Sequence, residues 1–108
     1  MARSKYGAKP IVIDGIRFAS QAEGRRYSEL RLFERAGRIR QLELQPEFPI
    51  VLGGKKVATY KADFAYFAHN SRVVEDVKSA PTKTPLYRLK KRLVEALYPG
   101  VTITEVGT

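Results

Sequence analysis

The period of the apolar positions changes several times along the chain, and each change marks an element. Ile11-Val12-Ile13 and Ile16-Arg17-Phe18 are short strand-forming runs on either side of Asp14-Gly15, a strong two-residue hairpin signal. Ser20-Gln21-Ala22-Glu23 has the form of a capping box and opens a helix that runs to about Ala36, with Gly37 suited to cap its end. Glu23, Tyr27, Leu30 and Phe33 share one stripe of that helix, with Leu30 and Phe33 turned inward. Between Gln41 and Val51 the apolar residues are interrupted by Pro46 and Pro49. This pattern predicts one irregular or edge strand, since proline cannot donate to a central ladder. Gly53-Gly54 is a turn, and strands Val57–Phe67 and Arg72–Lys78 follow. Thr84 and Pro85 supply the N-cap and first position of a second helix, whose Leu86, Leu89, Leu93 and Leu97 recur at helical spacing as its expected core stripe. Tyr98-Pro99-Gly100 ends it, and alternation from Val101 to Glu105 gives a last short strand. The order predicts a single mixed α/β domain over residues 1–108, helices covering the sheet, with residues 1–10 as a loose basic arm.

Charge narrows the class of partner. Lysine and arginine number 20 against 11 acidic residues, a formal net charge of +9 on 108 residues. On so small a domain that balance points to a polyanion, most simply nucleic acid, over a merely solvated surface. The chain has no cysteine, which excludes disulfides and thiolate metal sites. No apolar run approaches the roughly 18 residues of a membrane span, and no signal-peptide core follows Met1, so an intracellular protein is expected.

Against this basic background the acidic residues inside strands stand out. Asp63 lies within one strand-forming run, and Glu75 and Asp76 within the next, where a carboxylate is costly unless something neutralises it. If the intervening loop is His69-Asn70, or all of Ala68 to Ser71, antiparallel pairing joins positions whose numbers sum to 139. Asp63 then sits across from Asp76, with Cβ atoms roughly 4.5–5.5 Å apart and like charges in conflict. A divalent cation between them removes the conflict. Lys78 points to the same face as Asp76 and would steady a nucleophilic water or a phosphate; its bland role is to balance one aspartate. Glu75 falls on the opposite face, beside Val73 and Val77, and would replace Asp76 as ligand only if a bulge or odd loop shifted the register. Glu23 is open to two uses, a return to the Ser20 N–H or membership of the same ligand shell. His69, the one histidine, reads as a turn residue. Arg88, Lys90, Lys91 and Arg92 on the second helix, Lys83 before it, and Arg25 and Arg26 on the first suit either the DNA backbone or a solvated face.

Asp63 followed by Asp76-Val77-Lys78, inside this order of elements, resembles the PD-(D/E)XK nuclease superfamily. The Phe18-x-Ser20-x-x-Glu23 opening is similar to the first-helix motif of some members. The chain looks closest to short phage-encoded proteins with Lys5-Tyr6-Gly7 near the start, Leu44-Gln45-Pro46 before the central hairpin and Glu75-Asp76-Val77-Lys78 within it. The resemblance covers nearly the whole chain and implies a restriction-endonuclease-like αβββαβ core with a mixed central sheet. It also implies cleavage of DNA dependent on Mg²⁺, with Mn²⁺ able to substitute. Glu23, Asp63, Asp76 and Lys78 carry over as site residues. One departure is Ala62, where the superfamily's name records proline. Relatives of this kind act on branched DNA or in recombination, in a bacterial cytoplasm, and often as dimers. A homodimer is therefore an expectation too, as 108 residues make a small footprint for a branched substrate. The competing reading is a non-catalytic nucleic-acid-binding protein on a nuclease-like fold. An RNA-directed enzyme has no aromatic RNA-reading motif to support it.

Overall fold

The computed structural model of the protein describes residues 9–107, so residues 1–8 of the expected basic arm lie outside the described residues. Strands β1 (Ile11–Ile13) and β2 (Ile16–Phe18) pair across Asp14-Gly15, both of which take left-handed φ values of 54° and 75° as a tight hairpin turn requires. Helix α1 (Gln21–Arg35) starts where the Ser20 Oγ accepts from the Glu23 N–H at 3.1 Å. It stops just before Gly37, whose φ of 77° carries the chain out of the helix.

The two long strands expected from the sequence are each broken in two. Gln41–Val51 is not one strand but parts of β3 (Arg40–Leu44) and β4 (Glu47–Leu52), and Val57–Phe67 is divided between β5 (Lys55–Lys61) and β6 (Phe64–Ala68). The breaks face one another. The Gln45 N–H donates to the Asp63 carbonyl at 2.9 Å, and the Ala62 N–H to the Pro46 carbonyl at 3.1 Å. A single two-stranded ribbon therefore runs through and bends at that point, so that β4 and β5 leave as a separate sheet. The bend has local causes: Pro46 brings no N–H, and Gln45 adopts a left-handed φ of 52°.

The inner half of the ribbon joins a four-stranded sheet of order β3-β6-β7-β8. β7 (Ser71–Lys78) runs antiparallel to β6, and β8 (Ile103–Gly107) lies parallel to β7, making the sheet mixed. Between β7 and β8 come a short 3-10 turn (Ala80–Thr82) and α2 (Pro85–Leu97), whose Thr84 Oγ1 accepts from the Tyr87 N–H at 3.1 Å. Strand alternation divides the core between two faces. Phe64 and Tyr66 pack with Phe18, Tyr27 and Leu30 beneath α1, while Ala65, Val74 and Ile103 pack with Tyr87 and Val94 of α2 and with Phe48, Ile50 and Tyr60 of the outer sheet. The fold is thus a compact α/β domain with a mixed sheet and two helices.

Helix α2 docks on a different stripe from the leucine one. Tyr87 and Val94 are buried, whereas Leu86 and Leu89 are 61% and 53% exposed. The helix is turned by one residue, about 100°. Tyr87 decides this rotation, because its ring stacks toward Tyr60 with centroids 6.3 Å apart and its hydroxyl reaches Glu105 at 2.8 Å. No leucine can make both contacts.

Candidate functional site

Every β6–β7 pair from Ala68↔Ser71 to Phe64↔Glu75 obeys the sum of 139, with His69-Asn70 as the loop and His69 at φ 57°. His69 is a turn residue, and its carbonyl accepts from Arg40. Continued one step, the register sets Asp63 against Asp76, at the point where the ribbon bends away. There the Asp63 N–H still donates to the Glu75 carbonyl at 3.1 Å, and beyond it side chains take over from the backbone ladder. The Asp63 Oδ2 accepts from the Val77 N–H at 2.8 Å, and the Asp76 Oδ1 accepts from the Asp63 N–H at 3.0 Å. Each carboxylate is thereby fixed by one oxygen. Asp76 is only 2% exposed, and its Oδ2 is buried with no hydrogen-bond partner.

Glu23 approaches from the first turn of α1. Among the described residues its carboxylate makes no return bond to the Ser20 N–H, so the cap is one-sided and the side chain is left for the strand pair. Burial, followed by the charges of Asp63 and Asp76, pushes the Glu23 carboxyl up to about 7, with Lys78 opposing. Burial likewise raises Asp76 to about 6 against the pull of Lys78, and it raises Asp63 despite the Val77 hydrogen bond. Three carboxyl groups that all resist ionisation at one strand end form a site short of positive charge.

Lys78 does not resolve that shortage by direct pairing. Its ammonium sits 4.3 Å from the centroid of the Tyr87 ring, and among the described residues it forms no ion pair. A cation held on an aromatic face stays near the carboxylates and keeps its donors available.

Glu75 is apart from this group. It points beneath α1, where Arg26 grips it with Nε–Oε1 at 2.8 Å and Nη2–Oε2 at 2.7 Å, and the Tyr66 hydroxyl donates to Oε2. At 1% exposure with these partners it is a structural carboxylate, and the expectation of Glu75 as an alternative metal ligand is corrected. The same contact corrects Arg26, expected on a DNA-binding face: its guanidinium, raised by the hydrogen bond to Glu75, is committed to the interior. Nothing in the sequence pairs residues 26 and 75, although an acidic residue on a buried strand face does call for a partner.

Of the other basic candidates, Arg25, Arg88 and Arg92 are exposed. Lys83 pairs with Glu105 at 3.1 Å, Lys91 with Glu95 at 3.4 Å, and Lys90 donates to the Thr59 carbonyl at 3.3 Å. Beside the carboxylates opens a cleft of about 320 Å³ between β5, the end of β7 and the start of α2. Tyr60 and Tyr87 line it, and neither was singled out as a candidate site residue by the sequence reasoning.

Among the described residues, no three histidine, cysteine, aspartate or glutamate side chains converge tightly enough to cage a metal ion. Mg²⁺ nonetheless fits the donor set, because it is commonly held by one or two carboxylates and completes its shell with water and substrate phosphate. Asp63 and Asp76 supply hard oxygens, and the unpartnered Asp76 Oδ2 is the atom that a cation would satisfy. A protein-family profile described as "Protein of unknown function (DUF1064)" matches residues 3–107. No match to the chain was found among curated proteins or among solved structures.

Proposed function

The chain belongs to the DUF1064 family, whose description names no activity, and from the chemistry of its own residues we propose that it is a metal-dependent endonuclease acting on DNA. The observation that carries this reading is the arrangement at the end of β7. Half-buried Asp63 and buried Asp76 are clamped by backbone N–H groups, one Asp76 oxygen is left over, and Lys78 stands beside them with no ion pair among the described residues. A purely structural acidic pair in a protein of net charge +9 would be expected to take a lysine for itself.

Each residue then has a definite part. Asp63 and Asp76 would hold the cation, each kept from rotating by one backbone N–H, that of Val77 for Asp63 and that of Asp63 for Asp76. Glu23 closes the group from α1 and would release its proton to solvent when a cation is bound. Lys78 contacts the phosphate or orients the attacking water. The cation supplies charge for the scissile phosphate and lowers the pKa of water. Exposed Arg25, Arg88 and Arg92 attract the DNA backbone. Kinship with the PD-(D/E)XK superfamily and with phage-encoded proteins, and action on branched DNA, form part of the same proposal.

The test is to incubate the protein with matched linear, nicked, flap and four-way-junction DNA, with and without Mg²⁺. The parent is expected to cut at least one of them only with Mg²⁺. Asp63→Asn, Asp76→Asn and Lys78→Ala are each expected to lose about 100-fold or more in rate. Cleavage by Lys78→Ala at the parental rate would sink the reading. A second reading, a non-catalytic DNA-binding protein, is favoured by the absence of a three-residue metal cage among the described residues. Titration calorimetry with Mn²⁺ separates the two, since the binder gives no heat that Asp76→Ala abolishes.

A further inference from the structure

Two side-chain polar atoms among the described residues are buried without a partner, the Asp76 Oδ2 and the Tyr60 hydroxyl. Both belong to residues that line the same cleft. Tyr60 is 4% exposed, and its ring lies between Phe48 and Tyr87 at centroid distances of 6.4 and 6.3 Å, which sets its hydroxyl at the inner end of the cleft wall rather than on the outer surface. A phenol at neutral pH offers a proton and needs an acceptor, whereas the carboxylate oxygen needs a donor or a cation. A buried water could serve either atom, yet it would not explain the rest of the lining. Lys61, Lys78 and Lys90 surround the cleft, and Thr84 and Tyr87 bring the N-terminal turn of α2 to its wall. Lysine ammoniums and a helix N-terminus favour an anion, and the deep hydroxyl supplies a directional donor to it.

We propose that this cleft seats a backbone phosphate of the DNA, with the Tyr60 hydroxyl donating to a non-bridging phosphate oxygen. The inference rests on the DNA reading of the adjacent carboxylates and adds a substrate-contacting residue to it. Tyr60 then orients the strand, and Lys61 and Lys90 balance the phosphate charge.

The discriminating variant is Tyr60→Phe, which keeps the ring and removes only the hydroxyl. Three quantities are read on the full chain: the melting temperature without DNA, the Kd for a fluorescent duplex or four-way junction in EDTA, and cleavage in Mg²⁺. A hydroxyl with no internal partner contributes nothing to the free protein. Its removal should leave the melting temperature equal or higher while weakening Kd roughly tenfold or more. Lys61→Gln should also weaken Kd without lowering the melting temperature. A lower melting temperature with unchanged Kd would identify a structural water and overturn the seat, as would Tyr60→Phe binding as the parent does. If Tyr60→Phe weakens binding in EDTA and neither protein cuts, the phosphate seat stands and hydrolysis fails. If both bind and cut alike, the seat fails and hydrolysis stands.

Discussion

At the scale of single residues, the carboxyl groups make a pH signature that can be measured without any substrate. In the unfolded chain Glu23 titrates near 4.5, and in the fold it is held up at about 7, with Asp76 held up at about 6. The folded state therefore binds protons more tightly, and stability rises as pH falls from about 7 to about 4.5, then levels off. Glu34 and Glu105 are lowered by hydrogen bonds from Leu42 and Tyr87, so their contribution has the opposite sign and is lost only below that window. Thermal melting of the metal-free protein should accordingly climb from pH 8 to pH 5.5. Glu23→Gln should flatten the climb, and Mg²⁺ should raise the melting temperature at pH 8 far more than at pH 5.5. A melting temperature that falls steadily over the same range would contradict the placement of Glu23. Asp63, Asp76 and Lys78 were legible in the sequence because β-strand parity and an even loop fix which side chains face each other. Glu75 could be assigned to the other face by the same parity, but its partner could not, since Arg26 belongs to a helix whose rotation no local pattern sets.

At the scale of elements, the Arg26–Glu75 pair joins α1 to β7 and holds the strand that carries Asp76. Removing one partner strands a buried charge, and that penalty usually exceeds the value of the pair itself. Arg26→Met should cost about 3–5 kcal/mol in denaturant unfolding. The double change with Glu75→Met should recover a large part of that loss, and a double variant no more stable than Arg26→Met alone would show that the pair is not what the strand depends on. The ends of the helices and the Asp14-Gly15 and His69-Asn70 turns follow from the sequence, because caps and turns depend on residues near in the chain. The division of two strands into four does not. Pro46 announces irregularity, but the matching bend at Ala62-Asp63 arises because the partner strand follows it. The leucine stripe of α2 misled for a related reason. Its period is correct for a helix, but the docked face was chosen by the distant rings of Tyr60 and Phe48, and Leu86 and Leu89 were left outside.

At the scale of the whole molecule, the proposed function makes the excess of positive charge a measurable quantity in DNA binding. Arg88 and Arg92 are exposed on α2, the helix whose first turn borders the cleft. If each neutralises one phosphate, Arg88→Ala with Arg92→Ala should reduce the slope of log Kd against log salt by about 1.8. If the proposed function is right, cleavage at saturating protein should persist, as neither residue has a part in the proposed chemistry. An unchanged slope would remove α2 from the interface. The bend in the ribbon also gives the two hairpin loops unequal tolerance of length change. Beyond the bend, among the described residues β4 and β5 pair only with each other, so residues gained or lost around Gly53-Gly54 lengthen or shorten an arm while Asp63 keeps its place. At His69-Asn70 an inserted residue taken up by the ladder instead of by the turn would move β6 one step along β7 and set Asp63 against Glu75, the carboxylate that faces the wrong side of the sheet. The molecule can therefore vary its reach at one end of the ribbon, while at the other a one-step slip of register would erase the site.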